Sequence, residues 1–195
     1  MARPLAVAIT GGIGAGKSAA LESFARHGVP TVSSDEIVHR LLREDDEVCA
    51  GIVERFGDGV LDAAGAIDRA KLGSIVFIDA EGLAWLEALL HPRVAREYGA
   101  WRDHLGRGSD PPQVVAIEVP LLYETGGETR FDKVVVITAP PEVRARRARL
   151  AADGREQRLL PDAEKVRRAD FAYVNDGSLE ELDAFVAGVL ERLRA

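Results

Sequence analysis

The sequence has a single cysteine, Cys49, which excludes an internal disulfide and a multi-cysteine zinc site. Histidine is almost as scarce. His27, His39, His91 and His104 are the only four, and no two stand at a metal-ligand spacing. There is no surplus of positive charge either. The 25 Lys and Arg face 32 Asp and Glu, a formal net charge of −7, so nucleic acid is not an expected partner. No apolar run is long enough to cross a bilayer, and no membrane association is expected. A cleaved leader is not expected, because residues 5–10 run straight into a glycine-rich motif that cleavage would remove. With the sparing cysteine use, this points to a cytoplasmic protein. No internal repeat, low-complexity tract or obligate protein partner is evident. What is present is a chain of 195 residues, 47 % hydrophobic, enough for a single domain over 1–195 with a sizeable core.

The most informative segment is Gly11-Gly12-Ile13-Gly14-Ala15-Gly16-Lys17-Ser18. It fits Gly, any four residues, Gly, Lys, then Ser or Thr, the phosphate-binding loop pattern. Its flanks suit that pattern: residues 5–10 read as a buried strand and 19–26 as a helix. Glycines let the backbone wrap an anion closely. Loop N–H groups and the helix N-terminus then face the negative charge. Lys17 is placed to reach the outer phosphates, and the Ser18 hydroxyl to hold Mg²⁺.

Further strands are predicted at 29–32, 114–119, 133–138 and 171–174, and helices at 35–43, 46–56 and 67–77. Leu83, Leu86, Ala88, Leu89 and Leu90 form an apolar helical stripe. Pro92 biases His91 away from the α region, so a kink or break is expected there. Pro140-Pro141 opens an arginine-rich helix, and Ser178-Leu179-Glu180-Glu181 is a capping box for a last helix. Alternating strands and helices imply a parallel sheet covered on both faces, with ligands at the carboxyl ends of the strands. The loop, Asp35, Glu118, Pro120 and Asn175 should share that edge.

Several residues there could carry chemistry. Asp35 could orient an acceptor hydroxyl and take its proton, or serve only as a first-turn acid. Glu118 interrupts an apolar strand, and a buried carboxylate is costly unless paired or near a cation. It could contact Mg²⁺ through water or simply reach solvent. Arginines crowd the stretch Arg144, Arg146, Arg147, Arg149, Arg155, Arg158, Arg167 and Arg168. Guanidinium groups suit phosphate oxygens, though a charged helix face is the plainer use.

With these segments and Leu89-Leu90-His91-Pro92, Val119-Pro120-Leu121-Leu122-Tyr123-Glu124 and Asn175-Asp176-Gly177 in hand, the chain resembles the dephospho-coenzyme A kinases. The resemblance implies a P-loop kinase core of three α/β/α layers around a five-stranded parallel sheet. It implies a helical substrate lobe over 36–109 and a short lid over 143–168. It implies ATP-dependent phosphorylation of the ribose 3′-hydroxyl of dephospho-coenzyme A, the last step of coenzyme A synthesis. Asp35 then matches the family's base, with Lys17, Arg149 and Arg155 as charged partners of the transferring phosphate. Thr10, His91, Pro92, Arg93, Pro120, Leu121, Leu122 and Glu124 would line the acceptor site. Leu121 and Leu122 could also simply fill core, and Pro92 could simply end a helix. Asn175 and Gly177 would approach the adenine of ATP. The family's Asp-x-Asp reads Ser33-Ser34-Asp35 here, and the lid near 150–160 is shorter than usual.

Three other readings stay open. Another small-molecule kinase, such as a shikimate or nucleoside monophosphate kinase, would share the loop. A GTP-dependent switch would need Asn-Lys-x-Asp, and Asn175, the only asparagine, is followed by Asp176 and Gly177. A catalytically inactive homologue would keep binding alone.

Overall fold

The computed structural model describes residues 3–147 and 159–195. Five strands and eight α-helices are found among them. β1 (Leu5–Gly11), β2 (Thr31–Ser33), β3 (Val114–Glu118), β4 (Lys133–Thr138) and β5 (Phe171–Val174) make one parallel sheet in the order β2-β3-β1-β4-β5. The central strands are apolar on both faces, as a sheet covered on two sides requires. Glu118 of β3 stands opposite Ile9 of β1 and Ser33 of β2, and Gly11 stands opposite Ile137 of β4. That row is the carboxyl edge of the sheet.

The chain forms two compact units, 1–33 with 101–195, and 34–100. In the first, α1 (Lys17–Arg26) and α8 (Leu179–Arg194) cover one sheet face. Val7, Ile9, Phe24, Ile137, Leu182 and Val186 are fully buried between them. Ala8, Leu122, Tyr123, Val134 and Val136 form the second cluster of this unit. Asp183 of α8 ties the two helices together: it accepts from Ser23 Oγ (2.5 Å) and Arg26 (2.8 Å) and lies 3.2 Å from His27 Nε2. The expected capping box is present, Ser178 and Glu181 exchanging side-chain and backbone bonds. At the opposite, amino edge, buried Arg102 donates to the Pro4 carbonyl and to Asp132.

The second unit holds α2 (Ser34–Glu44), α3 (Asp46–Phe56), α4 (Arg69–Val76) and most of α5 (Ala80–Gly106). Asp45 and Asp68 cap α3 and α4 with their side chains. The ring of Phe56 meets that of Trp85 edge-on at 5.6 Å. Of the kink or break expected at His91, the break does not occur: α5 runs through Pro92 for 27 residues. Proline in a helix interior costs about 3 kcal/mol. Leu86, Leu90, Val94 and Tyr98 recur every four residues on both sides of it, all buried, and their packing outweighs that cost. Arg93 Nη1 also donates to the Leu89 carbonyl (3.1 Å), in the turn the proline disturbs. Among the described residues no helix is long and apolar enough to cross a membrane.

Candidate active site

The central strand ends in the glycine-rich loop. Gly11 has φ +149, and a Cβ there would run into the Ile137 carbonyl oxygen of the neighbouring strand. Gly16 is left-handed (φ +97) and closes the loop as the N-cap of α1. The helix therefore begins at Lys17, two residues earlier than the sequence suggests, and no side chain caps it. An uncapped helix N-terminus at the carboxyl edge of a parallel sheet is a ready anion site. Gly12 and Ala15 are buried, Ile13 and Gly14 half-buried. Lys17 Nζ folds back to donate to the Gly12 carbonyl at 3.0 Å. Ser18 Oγ lies 3.3 and 3.4 Å from the two oxygens of Glu118, which is buried at the end of β3. That pair offers hard oxygen donors, the set Mg²⁺ takes when phosphate and water complete its shell. Among the described residues no group of three or more His, Cys, Asp or Glu could hold a metal by itself.

The segment after β3 lies along the same edge. Val119 N–H donates to the Ile9 carbonyl (2.9 Å), and Thr10 Oγ1 donates to that of Pro120 (3.3 Å). Leu121 is half-buried, whereas Leu122 is fully buried in the core cluster, a packing position. Glu124 accepts from the Leu160 N–H (2.9 Å) and pairs with Lys165 Nζ at 2.7 Å. Lys165 belongs to α7 (Asp162–Arg168) and is fully buried. Nothing in the sequence announces this pair, because burial of two groups 41 residues apart is a tertiary fact.

α6 (Pro141–Arg147) brings arginine onto the loop. A Cβ on Gly14 would meet the Arg144 carbonyl at 2.8 Å, and one on Gly12 would meet Arg144 Nη1 at 2.8 Å and Asp162 Oδ1 at 3.3 Å. Arg147 Nη1 donates to the Asn175 carbonyl (2.9 Å). Arg144 and Arg147 are thus the arginines beside the loop among the described residues. The sequence signal for them was only the local reversal of charge. Arg149 and Arg155, favoured from sequence, lie outside the described residues. Asn175 is buried, and its Nδ2 donates to the Ala15 carbonyl at 2.9 Å. Gly177 is exposed, packed under the Glu181 side chain of the capping box.

The remaining candidates belong to the second unit. Asp35 is exposed, the second residue of α2, which begins directly where β2 ends. His91 is half-buried and Pro92 exposed, both on α5. Arg93 lies 3.3 Å from Glu47 and 3.9 Å from Asp45.

Known proteins match this arrangement along its length. Residues 5–181 match the family model described as dephospho-CoA kinase. A dephospho-CoA kinase of Mesorhizobium japonicum is 41 % identical over 97 % of both chains. A crystal structure from Thermus thermophilus, 35 % identical, superposes with a TM-score of 0.79 over 98 % of this chain and 99 % of that one. The dephospho-CoA kinase of Campylobacter jejuni, 27 % identical, does so at 0.71 over 96 % of each. A phosphate loop by itself is common to many kinases, but a continuous match that also takes in the segments after β3 and β5 is not. The chain belongs to the dephospho-CoA kinase family.

Proposed function

We propose that this protein transfers the terminal phosphoryl group of ATP to the ribose 3′-hydroxyl of dephospho-coenzyme A, giving coenzyme A and ADP. One observation carries the reading. The family match spans residues 5–181, a range that includes both the phosphate loop and the segments assigned to the acceptor.

In this reading the loop amides from Gly11 to Ser18, the α1 N-terminus and Lys17 cradle the phosphates. Lys17 exchanges the Gly12 carbonyl for a phosphate oxygen, a stronger, charge-assisted partner. Ser18, with Glu118 acting through water, would hold Mg²⁺, which neutralises charge on the phosphate oxygens. Asp35 aligns the 3′-hydroxyl in line with the terminal phosphorus and accepts its proton as the new P–O bond forms. The bond to the ADP oxygen breaks in the same displacement. Thr10, Pro120, Leu121 and Glu124 shape the acceptor site from the sheet edge, with Leu122 packed as support, and the helical lobe supplies His91, Pro92 and Arg93. Arg93 reaches an anionic acceptor by releasing Glu47, an exposed carboxylate that returns to water at little cost. Catalysis is then mostly positioning and charge neutralisation. In this reading Asp35 is the single acid that takes the proton, since Ser33 stands where the family's first acid would be.

The test is ADP release measured with and without dephospho-coenzyme A, with the mass of the product checked. The expected outcome is acceptor-dependent ADP and a product heavier by one phosphoryl group at the 3′ position. ADP release that ignores the acceptor, or binding of both ligands without turnover, would remove the proposal.

A further inference from the structure

The chain's only asparagine, Asn175, follows β5 immediately and is 3 % exposed. It makes three hydrogen bonds in three directions. Its N–H donates to the Thr138 carbonyl at the end of β4 (2.7 Å). Its carbonyl accepts from Arg147 Nη1 of α6 (2.9 Å). Its carboxamide Nδ2 donates to the Ala15 carbonyl, inside the phosphate loop, at 2.9 Å. The space around that last bond is full. A Cβ on Gly16 would overlap the carboxamide and would come within 3.8 Å of Arg147 Nη1.

A loop that grips an anion must turn its N–H groups inward and its carbonyls away. The peptide unit is planar and trans, so its C=O and N–H point in opposite directions. Holding the Ala15 carbonyl toward Asn175 therefore aims the Gly16 N–H the other way. Left-handed Gly16 would otherwise allow that plane to rotate, since glycine tolerates either orientation. We infer that Asn175 is a positioning residue of the phosphate site: it locks the Ala15–Gly16 peptide so that the Gly16 amide faces the bound phosphates, and it acts on the polyphosphate rather than on the adenine base. The inference rests on the reading of the loop as a triphosphate site. Arg147, the last residue of α6, holds Asn175 from its other side, so Asn175 also fixes the end of the arginine-bearing helix against the loop. The residue type is dictated by the partner. Aspartate would set a carboxylate against a carbonyl oxygen, and alanine would leave a buried carbonyl unpaired.

The experiment compares ATP with inorganic tripolyphosphate, each with Mg²⁺, by titration on wild type, Asn175→Ala and Asn175→Asp. Both variants are expected to weaken ATP and tripolyphosphate by the same factor, about tenfold to a hundredfold, the range for an unmade buried hydrogen bond. KM for ATP should rise with that factor, while KM for dephospho-coenzyme A stays at its wild-type value. Weakening of ATP alone, with tripolyphosphate unaffected, would assign Asn175 to the base and overturn the inference. Unchanged affinity for both would do so as well. If neither variant folds, the Gly16 amide resonance of ¹⁵N-labelled wild type decides. It must shift on adding tripolyphosphate, and a resonance that does not move rejects the assignment. Wild-type protein that binds neither ATP nor tripolyphosphate would overturn the loop reading itself, and the inference with it.

Discussion

Asp35 and Glu118 are both acids near the ends of strands, yet their surroundings differ in a way that sorts their roles. Glu118 is 5 % exposed beside the Ser18 hydroxyl, where a bound cation would lower the cost of its charge. Asp35 is exposed in the first turn of α2, open to an acceptor hydroxyl. Asp35→Asn keeps the shape and removes the base, so kcat should fall by about 10²–10⁴ with KM for ATP little changed. Steady-state kinetics at saturating acceptor would check this, and a near wild-type kcat would take Asp35 out of that role. The phosphate loop and the places of Asp35 and Glu118 at strand ends were legible from sequence because each is a chemical exception in its own segment. Glycines cluster, an acid follows a strand, a charge interrupts an apolar run. Lys165 and the Asn175–Ala15 bond were not legible. Lys165 looks like any helix-face lysine until folding brings Glu124 to 2.7 Å.

Among the elements, strands were the easiest to foresee, since residues 5–10, 133–138 and 171–174 are short apolar runs between turn signals. Helix α5 was only partly legible. Local chemistry at Pro92 argues for a kink or a stop, but the buried residues on either side of it are tertiary and keep the helix unbroken. The α1–α8 pair makes a different point. Hydrogen bonds from Ser23 and Arg26, with the charges of His27 and Arg26, hold the Asp183 carboxyl down at about 2, below its ordinary 3.8. A carboxylate depressed in the folded state contributes stability above its unfolded pKa. That contribution fades as pH falls from about 4 toward 2. Asp183→Asn should therefore destabilise the protein at pH 7 and flatten its acid limb. Urea midpoints at pH 7, 4 and 3 would show the gap between variant and wild type closing as acid is added; a constant gap would contradict the linkage.

For the molecule as a whole, the phosphate site is built from the ends of the central strands, and its ligand should bind only the folded chain. Mg²⁺-ATP at about 100 times its Kd should then add about 2.7 kcal/mol, a rise in Tm of roughly 5–10 °C for a chain of this size. Scanning calorimetry with and without nucleotide would measure it, and an unshifted Tm would argue against a preformed site. The overall α/β architecture followed from the alternation of periods along the sequence, whereas the bounds 33/34 and 100/101 did not, because no composition change marks them; a helical lobe over 36–109 came only from the resemblance.

Gly11 and Gly12 are neighbours in the chain but differ in what confines them. Gly12 is hemmed in by the tips of the Arg144 and Asp162 side chains, groups that a mutation can shorten. Gly11 abuts the main-chain oxygen of Ile137, an atom every amino acid carries. A genetic selection for revertants could therefore recover second-site suppressors of a substitution at Gly12. At Gly11 it would return only glycine, which makes that position one that drift cannot renegotiate.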